Sequence, residues 1–112
     1  PMPDTAIRLV YITTPDLDTA STIANQLVEN RVIACANILP QMRSVYRWEG
    51  KVEQADECVL LCKTTAENIT AVTELVTAAH PYDLPAIIAL PIDSGLPGFL
   101  QWVADESGPD TA

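Results

Sequence analysis

The chain reads as an α+β protein of element order β-α-β-β-α-β, closed by a short helix. Three observations predict this. Apolar runs of strand character open and close the ordered region, two segments repeat apolar residues at helical spacing, and one very long hairpin signal lies between them. Hydrophobic residues make up 48% of the 112 positions, and a chain of this length buries roughly two-thirds of its unfolded surface. A single domain over 1–112 is expected, structured over about 7–104 and ending in a loose polar tail over 105–112.

The first strand is Ile7 to Thr14. Ile7, Leu9 and Tyr11 share one face and Val10 and Ile12 the other, as a central strand covered on both sides requires. Thr14-Pro15-Asp16 then supplies helix-start chemistry, with a cap oxygen, a proline and acids near the positive dipole end. Ala20, Ile23, Ala24, Leu27 and Val28 carry that helix to about Asn30. After the hairpin, Thr64-Thr65-Ala66-Glu67 matches a capping box. Ile69, Val72, Val76 and Ala79 give the second helix its apolar face, and His80-Pro81-Tyr82-Asp83-Leu84-Pro85 ends it. Ala86 to Ile92 is expected as a buried last strand, and about Gly98 to Ala104 as a short helix. The order is the split βαβ, or ferredoxin-like, plan. Its two helices cover one sheet face. Val10 and Ile12, opposite Ile7, then imply that a neighbouring subunit covers the other.

The hairpin arms, Ala34–Trp48 and Lys51–Lys63, meet at Glu49-Gly50, where Gly supplies the positive φ of a tight turn. At about 3.3 Å per residue the first arm would extend roughly 50 Å if straight. A globule of this size is only about 34 Å across. The hairpin must bend, or project and pair with another copy, and Pro40 marks where it breaks. Self-association follows from this length alone. The two-residue turn makes paired positions sum to 99, setting Tyr46 against Glu53, Trp48 against Lys51 and Cys62 against Asn37. A bulge at Pro40 shifts the far part by one.

A net charge of −9 and a pI near 4.2 argue against nucleic acid and anionic membranes as partners. The six basic residues form no stripe. No run of about 20 apolar residues spans a membrane, and Pro1-Met2-Pro3-Asp4 lacks the regions of a signal peptide. Three cysteines at no scaffold spacing suit reduced thiols and a cytoplasmic location. Cys58 and Cys62 resemble a metal pair, but four residues on a strand separate them by about 13 Å. A Cys35–Cys62 approach is compatible with the bulge; reduced thiols are the expectation.

Lys63 ends an apolar strand run and must snorkel, pair or line a pocket. With Asn37 and the His80-Pro81-Tyr82 turn as neighbours, it marks the candidate small-ligand cleft. Tyr46 and Trp48 share a face near the hairpin tip and suit subunit packing; as the wall of a ligand cleft, Trp48 joins the candidate site. His80 at a helix C-terminus suits a capping role and is the one imidazole available to a metal. No Gly-rich phosphate loop, G-x-S-x-G elbow or H-E-x-x-H helix occurs, and no enzyme is expected.

Several segments together resemble the CutA (divalent-ion tolerance) family. They are Ala34-Cys35-Ala36-Asn37-Ile38, Ser44-Val45-Tyr46-Arg47-Trp48-Glu49-Gly50-Lys51, Lys63-Thr64-Thr65, His80-Pro81-Tyr82-Asp83-Leu84-Pro85 and Phe99-Leu100-Gln101-Trp102. The resemblance implies a ferredoxin-like protomer in a homotrimer whose hairpins extend neighbouring sheets. It also implies a non-enzymatic role in divalent-metal tolerance, with copper(II) or another divalent cation as the ion. A second implied reading is a PII-like signalling trimer that binds a small ligand or anion in inter-subunit clefts; a third is a hub for partner proteins. Family members credited with copper binding carry a cysteine late in strand one and a His-His pair. The matching positions here are Ile12, Ala79 and His80, so a single histidine of that set is present. Ala86 stands where the family often has a glutamate.

Overall fold

A computed structural model describes residues 6–109. The expectations for Pro1-Met2-Pro3-Asp4 and for 110–112 lie outside the described residues. The elements are β1 (Ile7–Thr14), α1 (Leu17–Glu29), β2 (Cys35–Trp48), β3 (Lys51–Thr65), α2 (Ile69–Ala79), β4 (Ile87–Pro91) and α3 (Pro97–Glu106). One antiparallel sheet has the order β2-β3-β1-β4, the arrangement that the split βαβ plan requires.

Asp16 caps α1, its carboxylate accepting from the Thr19 N–H at 2.7 Å. The helix ends in a Schellman turn: Arg31 N–H donates to the Val28 carbonyl and Val32 N–H to that of Leu27. Arg31 holds the left-handed position with φ 60°, where glycine is usual. Its side chain explains its presence. The guanidinium donates to the carbonyls of Gly108 (2.7 Å) and Asp105 (3.1 Å), and the Gly108 N–H returns a bond to Arg31. The segment expected as a loose tail from residue 105 is therefore helical to Glu106 and tied down at Gly108.

The expected capping box does not form. Thr64 stays in β3, and its hydroxyl donates to the Val32 carbonyl at 2.6 Å. A turn of 3-10 helix at Ala66–Asn68 leads into α2 instead. Long-range burial of Thr64 outcompetes the local cap.

The core lies between the sheet and α1 and α2. Val10 and Ile12 of β1 join Leu60 and Cys62 of β3, Ala20, Ile23 and Leu27 of α1, and Val72 and Val76 of α2. This reverses the expected assignment of faces: the helices cover the Val10–Ile12 side. The other side carries Leu9, Tyr11, Leu61 and Lys63, with Cys35, Asn37 and Leu39 from β2 and Ile88 and Leu90 from β4, because register partners point the same way. Near the Ile7 end, α3 packs Val103 on Ile7 and Ala34. Beyond it the face is uncovered in the single chain: Leu39, Ile88 and Leu90 are 50%, 53% and 44% exposed. The last strand, expected to be buried, is an exposed edge.

The hairpin turn has φ 49° at Glu49 and 81° at Gly50, as a type I′ turn requires. Register is the counted one from the tip to Met42–Glu57; at Pro40 and Gln41 a bulge shifts it by one. Cys62 therefore faces Ala36, and Cys35 faces Lys63. β1 pairs with β3 from Cys58 onward, so Lys51–Glu57 and the end of β2 form a two-stranded ribbon outside the sheet. Seven residues at about 3.3 Å carry it roughly 20 Å away. The molecule accordingly measures 48 × 26 × 22 Å.

Candidate functional site

The five candidate residues occupy three places. At the first, Lys63 lies on the uncovered face between Leu9 and Cys35. Its ammonium donates to the Asn37 carboxamide oxygen and to the Leu61 carbonyl at 3.3 Å. The ion pair found among the described residues is Arg43–Asp56, so Lys63 meets amide oxygens and no carboxylate there.

At the second place, His80 closes α2 with its N–H on the Val76 carbonyl. Its ring is buried. Nε2 lies 2.7 Å from the Thr13 carbonyl, and the Tyr82 N–H approaches Nδ1 at 3.1 Å. A carbonyl only accepts, so Nε2 carries the proton and Nδ1 accepts. Both nitrogens are thereby used, and the ring as folded presents no lone pair to a metal. The Tyr82 ring packs 4.8 Å from His80, and its hydroxyl donates to Glu57 Oε2 at 3.0 Å. Burial first, and then the bond to Glu57, push the Tyr82 phenol up to about 12.

The expected adjacency of Lys63 to the His80–Tyr82 turn does not form within one chain. His80 and Tyr82 hold Thr13 and Glu57, whereas Lys63 lies four residues along β3 from Val59, the partner of Thr13. That spacing corresponds to about 13 Å. Trp48, the third place, is half-exposed at the ribbon tip opposite Lys51. One protomer therefore holds two separate corners and a tip.

Sequence reasoning missed a further feature. A cavity of about 610 Å³ opens where the ribbon leaves the sheet, lined by Asp16, Leu17, Met42, Arg43, Asp56 and Glu57 among others. Pro40 and Gln41 of the bulge are part of its lining, and the Cys58 thiol donates to the Pro40 carbonyl at 3.2 Å. The hint in the sequence was Glu57, a carboxylate within a β run; it is buried beneath Tyr82.

Cys35, Cys58 and Cys62 are free, and burial pushes Cys62 up to about 12, leaving it protonated and inert. No group of three or more His, Cys, Asp or Glu suited to a metal occurs among the described residues. No helix there is long and apolar enough to cross a membrane.

Fold and site together define a ferredoxin-like α+β protomer with a projecting ribbon and an uncovered apolar face. The family model for CutA1 divalent ion tolerance protein matches residues 8–106, and the chain belongs to that family. The protein CutA homolog of Xenopus laevis is 41% identical over 89% of this chain, which spans 66% of that relative's length. The solved divalent cation tolerance protein (Cut A1) of Thermus thermophilus is 44% identical, with a TM-score of 0.90 over 91% of this chain and 99% of its own. The solved periplasmic divalent cation tolerance protein CutA of Archaeoglobus fulgidus is 41% identical, with a TM-score of 0.84 over 87% of this chain and 94% of its own.

Proposed function

We propose that this chain acts as a non-enzymatic homotrimer in divalent-metal tolerance, with copper as the ion. The observation that carries the trimer is the uncovered sheet face. Leu39, Ile88 and Leu90 are about half-exposed on it, and Val45, Tyr46, Trp48 and Val52 are exposed along the ribbon. Removing such a surface from water contributes about 25 cal/mol per Å². An edge strand at β4 and a ribbon with unpaired edges invite pairing between copies. Metal tolerance rests on family membership, and copper on the resemblance given by the sequence. A cytoplasmic location is proposed from three free cysteines, although the Archaeoglobus relative is a periplasmic protein.

Sedimentation at micromolar concentration tests the assembly: a trimer is expected, and a folded monomer overturns the proposal. Calorimetric titration with copper(II) tests the ion. Saturable heat is expected, and its absence at micromolar copper removes the metal reading. His80→Gln separates the sites. Unchanged copper heat places the ion elsewhere, as the occupied ring nitrogens predict; lost heat shows that copper displaces Thr13 or Tyr82 from the ring.

One observation favours a second reading, a PII-like trimer that takes a small anion. Lys63 holds its charge on amide and carbonyl oxygens, which an anion can displace at low cost. Anion binding at subunit boundaries would then raise the melting temperature by mass action. A melting shift with inorganic phosphate that Lys63→Ala abolishes is the expected result, and no shift in the unsubstituted protein rejects it.

A further inference from the structure

We propose that the cavity where the ribbon leaves the sheet binds a small aliphatic amine, whose ammonium group is received by the free carboxylate oxygen of Glu57. The site is lined by residues of one chain and is independent of the metal and anion readings.

Glu57 is the one acid buried among the described residues, with 9% of its surface exposed. Its Oε2 accepts from the Tyr82 hydroxyl at 3.0 Å, a neutral donor. Oε1 has no hydrogen-bond partner among the described residues, and no fully buried side-chain oxygen there is left without one. Oε1 is therefore not sealed within the protein, and the cavity that Glu57 lines is the space it opens onto. The ion pair found among the described residues joins Arg43 to Asp56, so the Glu57 carboxylate meets no cation there. Burying a carboxylate without a counter-charge is costly. A cation entering the cavity offsets that cost.

A second carboxylate adds to the demand for positive charge. Asp16 lines the same cavity and gives its Oδ1 to the Thr19 N–H of α1. The Tyr82 phenol is raised by burial first, then by Glu57 and, less strongly, by Asp16. Both carboxylates thus stand within electrostatic reach of one oxygen atom. Arg43 is already spent on Asp56 at 2.8 Å and on Gln54 at 3.0 Å. The charges of Asp16 and Glu57 remain uncompensated.

Size and lining select the kind of cation. The volume of about 610 Å³ lies within the roughly 300–1,000 Å³ of small-molecule sites. Pro15, Leu17, Pro40 and Met42 give it an apolar wall suited to methylene groups. A bare divalent ion fits poorly, because no group of three or more His, Cys, Asp or Glu suited to a metal occurs among the described residues. The Cys58 thiol is committed to the Pro40 carbonyl. An ammonium on a short alkyl stem uses both features. Its N–H groups make charge-assisted bonds to carboxylate oxygen, and its stem covers the apolar wall.

The test is calorimetric titration of the full, assembled protein with butane-1,4-diamine at pH 7.5 and constant ionic strength. Methyl nuclear magnetic resonance follows Met42 in parallel. The expected result is saturable heat with one site per chain, and a Met42 methyl shift that saturates over the same concentrations. Glu57→Gln keeps an acceptor for the Tyr82 hydroxyl and removes the charge. It is expected to weaken binding by about tenfold or more. Glu74→Gln removes the same charge at an exposed position of α2 outside the cavity and is expected to leave binding unchanged. No heat at millimolar diamine overturns the proposal, and so does heat without a Met42 shift; neither reading needs a substitution. Equal weakening in Glu57→Gln and Glu74→Gln overturns it as well, since that marks general attraction to an acidic surface.

Discussion

The two faces of the sheet carry similar side chains and meet different fates. On one, Val10, Ile12, Leu60 and Cys62 lie beneath α1 and α2, each at most 1% exposed. On the other, Leu9, Tyr11, Leu61, Ile88 and Leu90 form an apolar surface with α3 over its Ile7 end. The covered face stabilises a single chain. The open face holds hydrophobic free energy that is released when another surface meets it. Apolar alternation thus records how much surface must be covered and is silent on what covers it.

The largest expected effect breaks the covered face. Leu60→Ala removes a fully buried side chain, and such truncations cost about 2–5 kcal/mol; urea denaturation should show the loss at every protein concentration. Next comes the open face. Ile88→Asp with Leu90→Asp should leave each chain's helical circular dichroism intact while weakening association by about tenfold or more per residue. Sedimentation checks this, and a trimer of undiminished strength would place the interface elsewhere.

A smaller effect concerns the helix that does the covering. The Thr19 backbone N–H holds the Asp16 carboxyl below its ordinary value. That cap contributes stability above the ordinary carboxylate range, and the contribution is lost as pH falls through the lowered value. Melting temperature followed from pH 5 to pH 3 should fall less steeply in Asp16→Asn than in the unsubstituted protein. The smallest effect is at Tyr82. Its phenol stays protonated up to about 12 in the folded chain, whereas an unfolded tyrosine ionises near 10. The resulting stability is present below about pH 10 and is lost as pH rises toward 12. Tyr82→Phe should remove that part of the alkaline slope, as read from denaturant midpoints.

Element order, the turn at Glu49-Gly50 and the register out to Met42–Glu57 were legible from residue order, because backbone φ and side-chain alternation are local properties. Pro40 announced its bulge for the same reason, since a missing N–H interrupts any ladder. Asn37 and Lys63 were legible as neighbours because hairpin counting places them within one residue of each other.

Only the tertiary structure decided which face of β1 the helices take, since both faces are apolar and parity alone cannot rank them. It also decided that the Thr64 hydroxyl serves Val32 in preference to a helix cap, and that Arg31 ties the end of α3 to the end of α1. The occupation of both His80 nitrogens and the sheltering of Glu57 by Tyr82 belong to the same class. Most of these contacts join residues far apart in the chain, and a hydrogen bond's partner is chosen by what burial brings within 3 Å. The sequence by itself determined the strands, the helices and the ribbon; packing determined which side chains those elements could use for anything else.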